Sequence, residues 1–272
     1  MVKIAIRDDD TNYFTEPGAI ELAYRGMESL PISLAVIPFV TGNNGDCPES
    51  ACAGVDGPHD ISHNCALVQY VSDGVRNSHF EVLLHGISHE YRYQSGRRIA
   101  EMQWRESDPA LPEKLLFARH HLAMTFQCKV KWFVPPSNKI EGAGVRAVVC
   151  AGMDLSGIIG WKLNRTIDVL SVRKYLSRWF FRGRYRYPYP GVLRYADHCE
   201  LNACGMHSLE YLVHLFNVCA KFSLPMVINT HYWDLRDNQR KRDMLLRFVE
   251  YARSKGAVFV LMSDIVNDAR YE

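Results

Sequence analysis

Three consecutive carboxylates, Asp8, Asp9 and Asp10, close a short apolar run at Lys3-Ile4-Ala5-Ile6-Arg7. Adjacent like charges repel, and core packing has no use for three in a row. A second polar pair, His85 and His89, follows Phe80-Glu81-Val82-Leu83-Leu84, and His231 follows Met226-Val227-Ile228-Asn229-Thr230. Two histidines separated by three residues can turn both imidazoles onto one metal ion. A carboxylate then completes three protein ligands and leaves a position for water, the arrangement of catalytic rather than structural zinc. Taken singly, each residue has a plainer account, a capping acid in a solvated turn or a satisfied loop imidazole. Taken together at the ends of apolar runs, they favour a metal site.

The elements that must position these groups are legible as alternating strands and helices. Strand patterns occupy Lys3–Arg7, Ile32–Ile37, Phe80–Leu84, Val130–Val134, Met153–Leu155, Met226–Thr230 and Val258–Leu261. Helix patterns lie between them, at Pro17–Leu30, Asn64–Val75, Leu111–Phe126, Gly142–Cys150, Ser208–Phe222 and Asn238–Ser254. A strand followed by a helix, about seven times over, argues for a parallel sheet or barrel. In a barrel of such units the carboxyl ends of all strands meet on one face. The acids at 8–10, the histidines at 85 and 89, the Pro136–Asn138 segment and His231 all sit at such ends.

Composition sets further bounds. The 272 residues carry 32 Lys and Arg against 30 Asp and Glu, a formal net charge of +2. That balance offers no basic stripe for nucleic acid. Hydrophobic residues make 47% of the chain, yet no apolar run approaches the roughly 18 residues that span a bilayer. Met1-Val2-Lys3-Ile4 leads directly into a strand with no signal-peptide pattern, so the expected compartment is the cytoplasm, with the eight cysteines mostly free thiols. One catalytic domain over 1–272 is expected, with 41–62 and 161–206 as loop insertions. In the first of these stretches and just beyond it, Cys47, Cys52, His59, His63 and Cys65 lack the tight Cys-x-x-Cys pairs of zinc modules and fit a loop over the site better. Cys199, Cys204 and His207 are read as core and loop residues.

The motifs together resemble the polysaccharide deacetylase superfamily, whose barrel is the NodB homology domain. Its first motif is a strand ending in Asp-Asp, and Lys3 to Asp10 aligns with it without gaps. Its second, His-Ser-x-x-His, is matched by His85-Gly86-Ile87-Ser88-His89 with Gly86 in place of Ser. The late strand that carries the family's acid histidine resembles Val227-Ile228-Asn229-Thr230-His231. The resemblance implies a distorted (β/α)7 barrel, an α/β fold, with Asp10, His85 and His89 as metal ligands, Asp9 as general base and His231 as general acid. It implies one divalent metal ion, with zinc the expected one. Three acids also allow a register with Asp8 as base and Asp9 as ligand. Alternation favours Asp9 and Asp10, because Ile4 and Ile6 then occupy the usual apolar positions and Asp8 becomes a supporting acid.

Two features depart from the family pattern. Its Arg-x-Pro-Tyr motif is here Phe133-Val134-Pro135-Pro136, so the arginine that orients the base is missing. Arg7, two residues before Asp9 on the same strand face, is the expected replacement. The fourth motif, an acid near a tryptophan, is matched only by Asp154 with Trp161. The resemblance implies a hydrolase of carbohydrate N-acyl groups, acting on a small-molecule or glycan substrate, anionic ones included. Arg7, Asp8, Pro136, Asn138, Tyr232 and Trp233 are the candidate substrate-binding or supporting residues. The aromatic and arginine-rich run 179–190 is open between stacking on a sugar and forming a surface flap or oligomer contact. The alternatives are a non-catalytic metal- or sugar-binding barrel and a deacylase of non-sugar amides.

Overall fold

A computed structural model of the chain describes residues 1–41, 57–157, 169–185 and 189–268. Its first half runs β1 (Lys3–Thr11), α1 (Pro17–Ala23), β2 (Ile32–Val36), the hairpin strands β3 (Phe39–Val40) and β4 (His59–Asp60), α2 (Cys65–Arg76) and β5 (Phe80–His85). A second hairpin, β6 (Arg92–Gln94) and β7 (Arg97–Ile99), precedes α3 (Glu101–Trp104), α4 (Leu111–Phe126), β8 (Trp132–Val134), α5 (Gly142–Cys150) and β9 (Asp154–Gly157). The remainder comprises α6 (Val169–Tyr185), β10 (Leu193–Arg194), β11 (Cys199–Asn202), β12 (Cys204–Gly205), α7 (Leu209–Phe222), β13 (Met226–His231), α8 (Tyr232–Asp237), α9 (Gln239–Ser254), β14 (Val258–Phe259) and α10 (Met262–Val266).

All seven expected strands are present, in one curled sheet ordered β10-β11-β9-β8-β5-β2-β1-β13-β12, with β14 joined to the start of β1. The pairings are parallel except for β10 with β11. Residues 199–205 run between the two ends of this sheet. Glu200, Leu201 and Asn202 pair with β9, and after Ala203, Cys204 and Gly205 pair with β13. This is a distorted α/β barrel, closed by one bent segment.

The stretch 161–206 therefore differs from the expected loop insertion. Its described part holds α6 and three short strands that belong to the sheet. Strands of two to four residues are too short to show an alternation. Helix α1 is also shorter than Pro17–Leu30. The chain leaves the helix after Ala23 and turns through Gly26 at φ +82°, yet Met27 and Leu30 remain fully buried.

Alternation along the strands divides the core in two. Ile6, Leu34, Val36, Val82, Leu84, Phe133 and Leu155 face outward and pack under the helices. Ala5, Ala35, Leu83, Trp132, Val134, Leu201 and Val227 face inward, joined by Met262 and Ile265 of α10. The lower barrel is thus filled with apolar side chains. The same inward rows continue toward the carboxyl ends as Arg7, Asp9, His85, Ser156, Asn229 and His231. The barrel has an apolar floor and a polar mouth, as its fold requires of a site.

Trp132 is 1% exposed and is the largest side chain on that floor. Trp132→Ala should cost about 3–5 kcal/mol of stability, because neighbouring strands cannot collapse into the space left. Urea unfolding monitored by circular dichroism measures this. A loss below about 1 kcal/mol would show that the floor is not close-packed.

Candidate active site

The three carboxylates of β1 end in three different places. Asp8 faces outward, under α1 and α8. It accepts hydrogen bonds from the Tyr24 hydroxyl, from Thr230 Oγ1 at 2.9 Å and from the Tyr232 backbone N–H at 3.0 Å. Asp9 faces into the barrel. Asp10 adopts φ +76°, and the β1–β2 register shifts between Asp8 and Thr11. Such a bulge re-aims a side chain that strict alternation would send outward with Asp8. Asparagine and aspartate tolerate this left-handed backbone better than most residues. The local register thus groups Asp9 and Asp10, and not Asp8, with the histidines.

Asp9 is 3% exposed and fully engaged. Arg7 Nε donates to its Oδ1 at 2.9 Å and Arg7 Nη2 to its Oδ2 at 2.7 Å, a bidentate fork. Asn229 Nδ2 donates to Oδ2 at 2.7 Å. The guanidinium is itself held by Ser156 Oγ at 3.2 Å and Asn138 Oδ1 at 3.3 Å. Arg7 is wholly buried, so removing its partners would strand a charge in the barrel. Ser156 and Asn229 escaped the sequence reading. Their only signal was their place on the inward rows of β9 and β13, one position before the end of β9 and two before the end of β13.

Asp10, His85 and His89 come together, their ligand atoms all within 4.8 Å of one another. They are the only such group of three among the described residues. His85 Nδ1 lies 2.9 Å from the Val134 carbonyl oxygen. A carbonyl can only accept, so Nδ1 carries the proton and the neutral ring presents a bare Nε2. That Nε2 faces Asp10 Oδ1 at 3.1 Å, and His89 Nε2 lies 3.5 Å from the same oxygen. Such a contact takes a proton or a metal ion between the two atoms, and two imidazoles with one carboxylate are a donor set for zinc or a similar divalent ion. The residues present therefore fit the implied metal. The charges agree. Burial opposes ionisation of Asp10, yet the histidines hold its carboxyl well below the usual range. Burial likewise disfavours a charged His85, yet Asp10 and Asp9 hold its pKa above the ordinary value.

Trp233 Nε1 donates to the second Asp10 oxygen at 3.1 Å, and His231 Nε2 lies 3.8 Å from that oxygen. His231 is the accessible member of the group, with its side chain 33% exposed. Its ring leans on Trp233, with centroids 5.2 Å apart.

A buried carboxylate absent from the sequence reading organises the histidine loop. Glu101 is fully buried and accepts the backbone N–H groups of Ile87 at 3.0 Å, Ser88 at 3.0 Å and His89 at 2.9 Å. Arg105 Nε pairs with it at 2.7 Å. Three successive amides on one carboxylate fix the loop that carries His89, which is itself left-handed at φ +53°. The same packing explains Gly86. Its φ is +67°, and a Cβ there would lie 2.3 Å from Glu101 Oε2 and 2.6 Å from the Pro136 ring. Serine, the usual residue of the motif, cannot fit without displacing both.

Other expected residues lie elsewhere. Tyr232 is fully buried among the helices, its hydroxyl 2.9 Å from Thr15 Oγ1, so it cannot stack on a substrate. Pro136 is buried against Gly86, a wall for the histidine loop and not a substrate contact. Asp154 accepts the Cys199 N–H at the entry of β9, away from the mouth, because it precedes Ser156 on that strand. Its suggested companion Trp161 lies outside the described residues, as do Cys47 and Cys52. Cys65 is an exposed free thiol, and His59 stacks on Tyr13. In the 179–190 run, the described rings Phe181 and Tyr185 pack on Phe222 at the end of α7.

Gly86→Ser should weaken binding of the metal by roughly tenfold or more, since disturbing the support of a ligating histidine has that scale of effect. Titration with zinc or cobalt by calorimetry checks it, and affinity equal to the parent protein would rule out the tight fit. Asp8 gives a pH signature. Burial pushes its pKa up to about 6, against the hydrogen bonds from Tyr24 and Thr230. The folded state therefore binds this proton more tightly than the unfolded chain. The Asp8 contribution to stability is fully present below the ordinary pKa near 3.8 and declines as pH rises toward about 6. Relative to the parent, Asp8→Asn should gain stability across that window and show no further gain above it, measured by urea unfolding in chelator. A flat difference between the two would refute the assignment.

No protein-family model matches the sequence, and no curated protein matches it. Solved structures do. A Mycobacterium smegmatis protein provisionally assigned as a polysaccharide deacetylase superimposes with a TM-score of 0.59 at 11% identity, over 99% of this chain and 90% of that one. The CE4 domain of a multidomain xylanase, from the hindgut metagenome of Trinervitermes trinervoides, gives 0.49 at 11% identity, over 98% and 90%. A CE4-family pseudoenzyme from Bacillus anthracis gives 0.47 at 10% identity, over 97% of this chain and 64% of that one. The present chain thus spans about two thirds of that pseudoenzyme. At 11% identity the likeness to the Mycobacterium smegmatis protein shows the fold alone, a distorted barrel of the polysaccharide-deacetylase type.

Proposed function

We propose that the protein is a metal-dependent amidohydrolase that removes an N-acyl group, acetyl in the first place, from a sugar. The observation that carries this reading is the Arg7–Asp9 fork set beside the Asp10, His85 and His89 donors at one barrel mouth. All of these residues belong to one barrel, which is read as one catalytic domain. Asp10, His85 and His89 would hold a divalent ion, zinc in the first place, which when bound acts as a Lewis acid on the amide oxygen and lowers the pKa of water. Asp9 takes the proton from the attacking water. Its two oxygens are fixed by Arg7 and Asn229, so the acceptor lone pair is already aimed when substrate arrives. His231, partly exposed at the mouth and leaning on Trp233, donates a proton to the leaving amine nitrogen. Without that proton the amine is a poor leaving group and the intermediate expels water instead.

The motif arginine absent from residue 133 is supplied on this reading by Arg7. A catalytic barrel is thereby favoured over a binding protein that has lost activity, since the base keeps a cationic partner and an acid remains opposite it. The expected substrates are sugars with an N-acetyl group, including nucleotide- or lipid-linked ones.

Wild-type protein should bind about one divalent ion per chain, and Asp10→Asn or the His85→Ala/His89→Ala pair should lose it with the fold retained. Asp9→Asn should keep the ion but release acetate from N-acetylated sugars about 10²–10⁴-fold more slowly. Elemental analysis and an acetate-release assay over free, oligomeric and nucleotide-linked N-acetylhexosamines provide the two readings. Metal retained by the double histidine variant, or undiminished turnover by Asp9→Asn, would overturn the assignment.

A further inference from the structure

Helix α6, Val169–Tyr185, stands apart from the rest of the molecule in charge and in exposure. It carries five of the chain's 32 Lys and Arg residues and none of its 30 Asp and Glu, and Arg186 follows it directly. Elsewhere the two signs are mixed. At 3.6 residues per turn, its described side chains fall on two opposite lines. Arg178 and Phe181 lie on the inner line, 7% and 5% exposed, and Phe181 packs on Phe222 and Tyr189. Val172, Leu176, Trp179 and Phe180 lie on the outer line and are 46%, 62%, 44% and 62% exposed. Arg182 and Arg184, both exposed, fall on either side of this apolar stripe. A surface helix ordinarily turns its apolar line inward. Here a second apolar line faces solvent.

We infer that the outer face of α6 docks the protein on an anionic membrane surface. Apolar and aromatic side chains flanked by arginines are the composition of a helix lying in the plane of a bilayer, with the stripe in the acyl boundary and the cations at headgroup depth. Charge decides among the other occupants. A second copy of this chain would bring Arg182 and Arg184 against the same two cations across a two-fold axis. A soluble polyanion would match the arginines but give Val172 and Leu176 nothing to enter. An anionic lipid surface satisfies both halves of the face. No helix among the described residues is long and apolar enough to cross a membrane, so the contact is peripheral. This inference goes beyond the deacetylase reading and stands whether or not that reading holds.

The test is co-sedimentation of the full chain with vesicles of phosphatidylcholine alone and of phosphatidylcholine containing about 30% phosphatidylglycerol. Binding to the anionic vesicles should exceed binding to the neutral ones by about tenfold or more and weaken as salt is raised. Leu176→Glu/Phe180→Glu should lower it by about tenfold or more with an unchanged melting temperature. Arg182→Glu/Arg184→Glu should lower it on anionic vesicles alone. Absence of anionic binding, equal binding to both vesicles, or full binding by Leu176→Glu/Phe180→Glu would overturn the proposal. So would light scattering that shows a dimer in the parent protein and a monomer in that variant, which would give the face to a second copy. Heparin binding that matches vesicle binding and ignores the Leu176 and Phe180 changes would give it to a polyanion.

Discussion

Everything at the mouth of this barrel depends on how β1 distributes three adjacent negative charges. Left on one surface they would repel one another and oppose folding. The strand separates them by geometry. Alternation sends Asp8 outward to a tyrosine, a threonine and the first amide of α8, and sends Asp9 inward to a guanidinium. The left-handed turn at Asp10 then swings the third toward two imidazoles. Each carboxylate has its own compensation. No two share one.

Compensation of buried charge is the theme of the wider site. Arg7 and Asp9 are both inside the barrel, where an unpaired ion is costly, and each covers the other. Ser156 and Asn138 then take the guanidinium donors left over, and Asn229 adds a donor to Asp9. The result is a base with no freedom to rotate. Glu101 and Arg105 repeat the pattern one layer behind, where the carboxylate also gathers the amides of the histidine loop. The Asp10, His85 and His89 group is the exception. Its two imidazoles and one carboxylate converge as a donor set that fits a cation brought from outside.

The barrel floor makes this possible. Ala5 and Ala35 leave room for Trp132, and α10 adds Met262 and Ile265, while the polar atoms of Ser33, Glu81 and Ser263 at the bottom bond one another. Water is excluded from below, and the ion pairs above sit in a medium of low polarizability where they are strong. The mouth stays open at His231. One wall is dry, and the other is reachable by substrate.

The sequence by itself determined the seven strands, the helices between them and the inward row Ala5, Arg7 and Asp9, because period 2 and period 3.6 are written in nearest neighbours. Arg7 could be assigned to Asp9 for the same reason, since residues two apart on a strand share a face. His85 and His89 with one of the three carboxylates were legible from types and spacing, and the resemblance with strand alternation singled out Asp10. The turn that separates Asp10 from Asp8 was not, since it depends on how β1 meets β2. Only the tertiary structure brought Glu101 under the histidine loop, Ser156 and Asn229 against the Arg7–Asp9 pair, and Tyr232 into the core. Each of these is a contact between segments far apart in the chain, and no local periodicity records such a contact. The bent segment 199–205 belongs with them. Its strands are too short to have a pattern of their own, and what makes them strands is the two sheet edges, β9 and β13, waiting on either side.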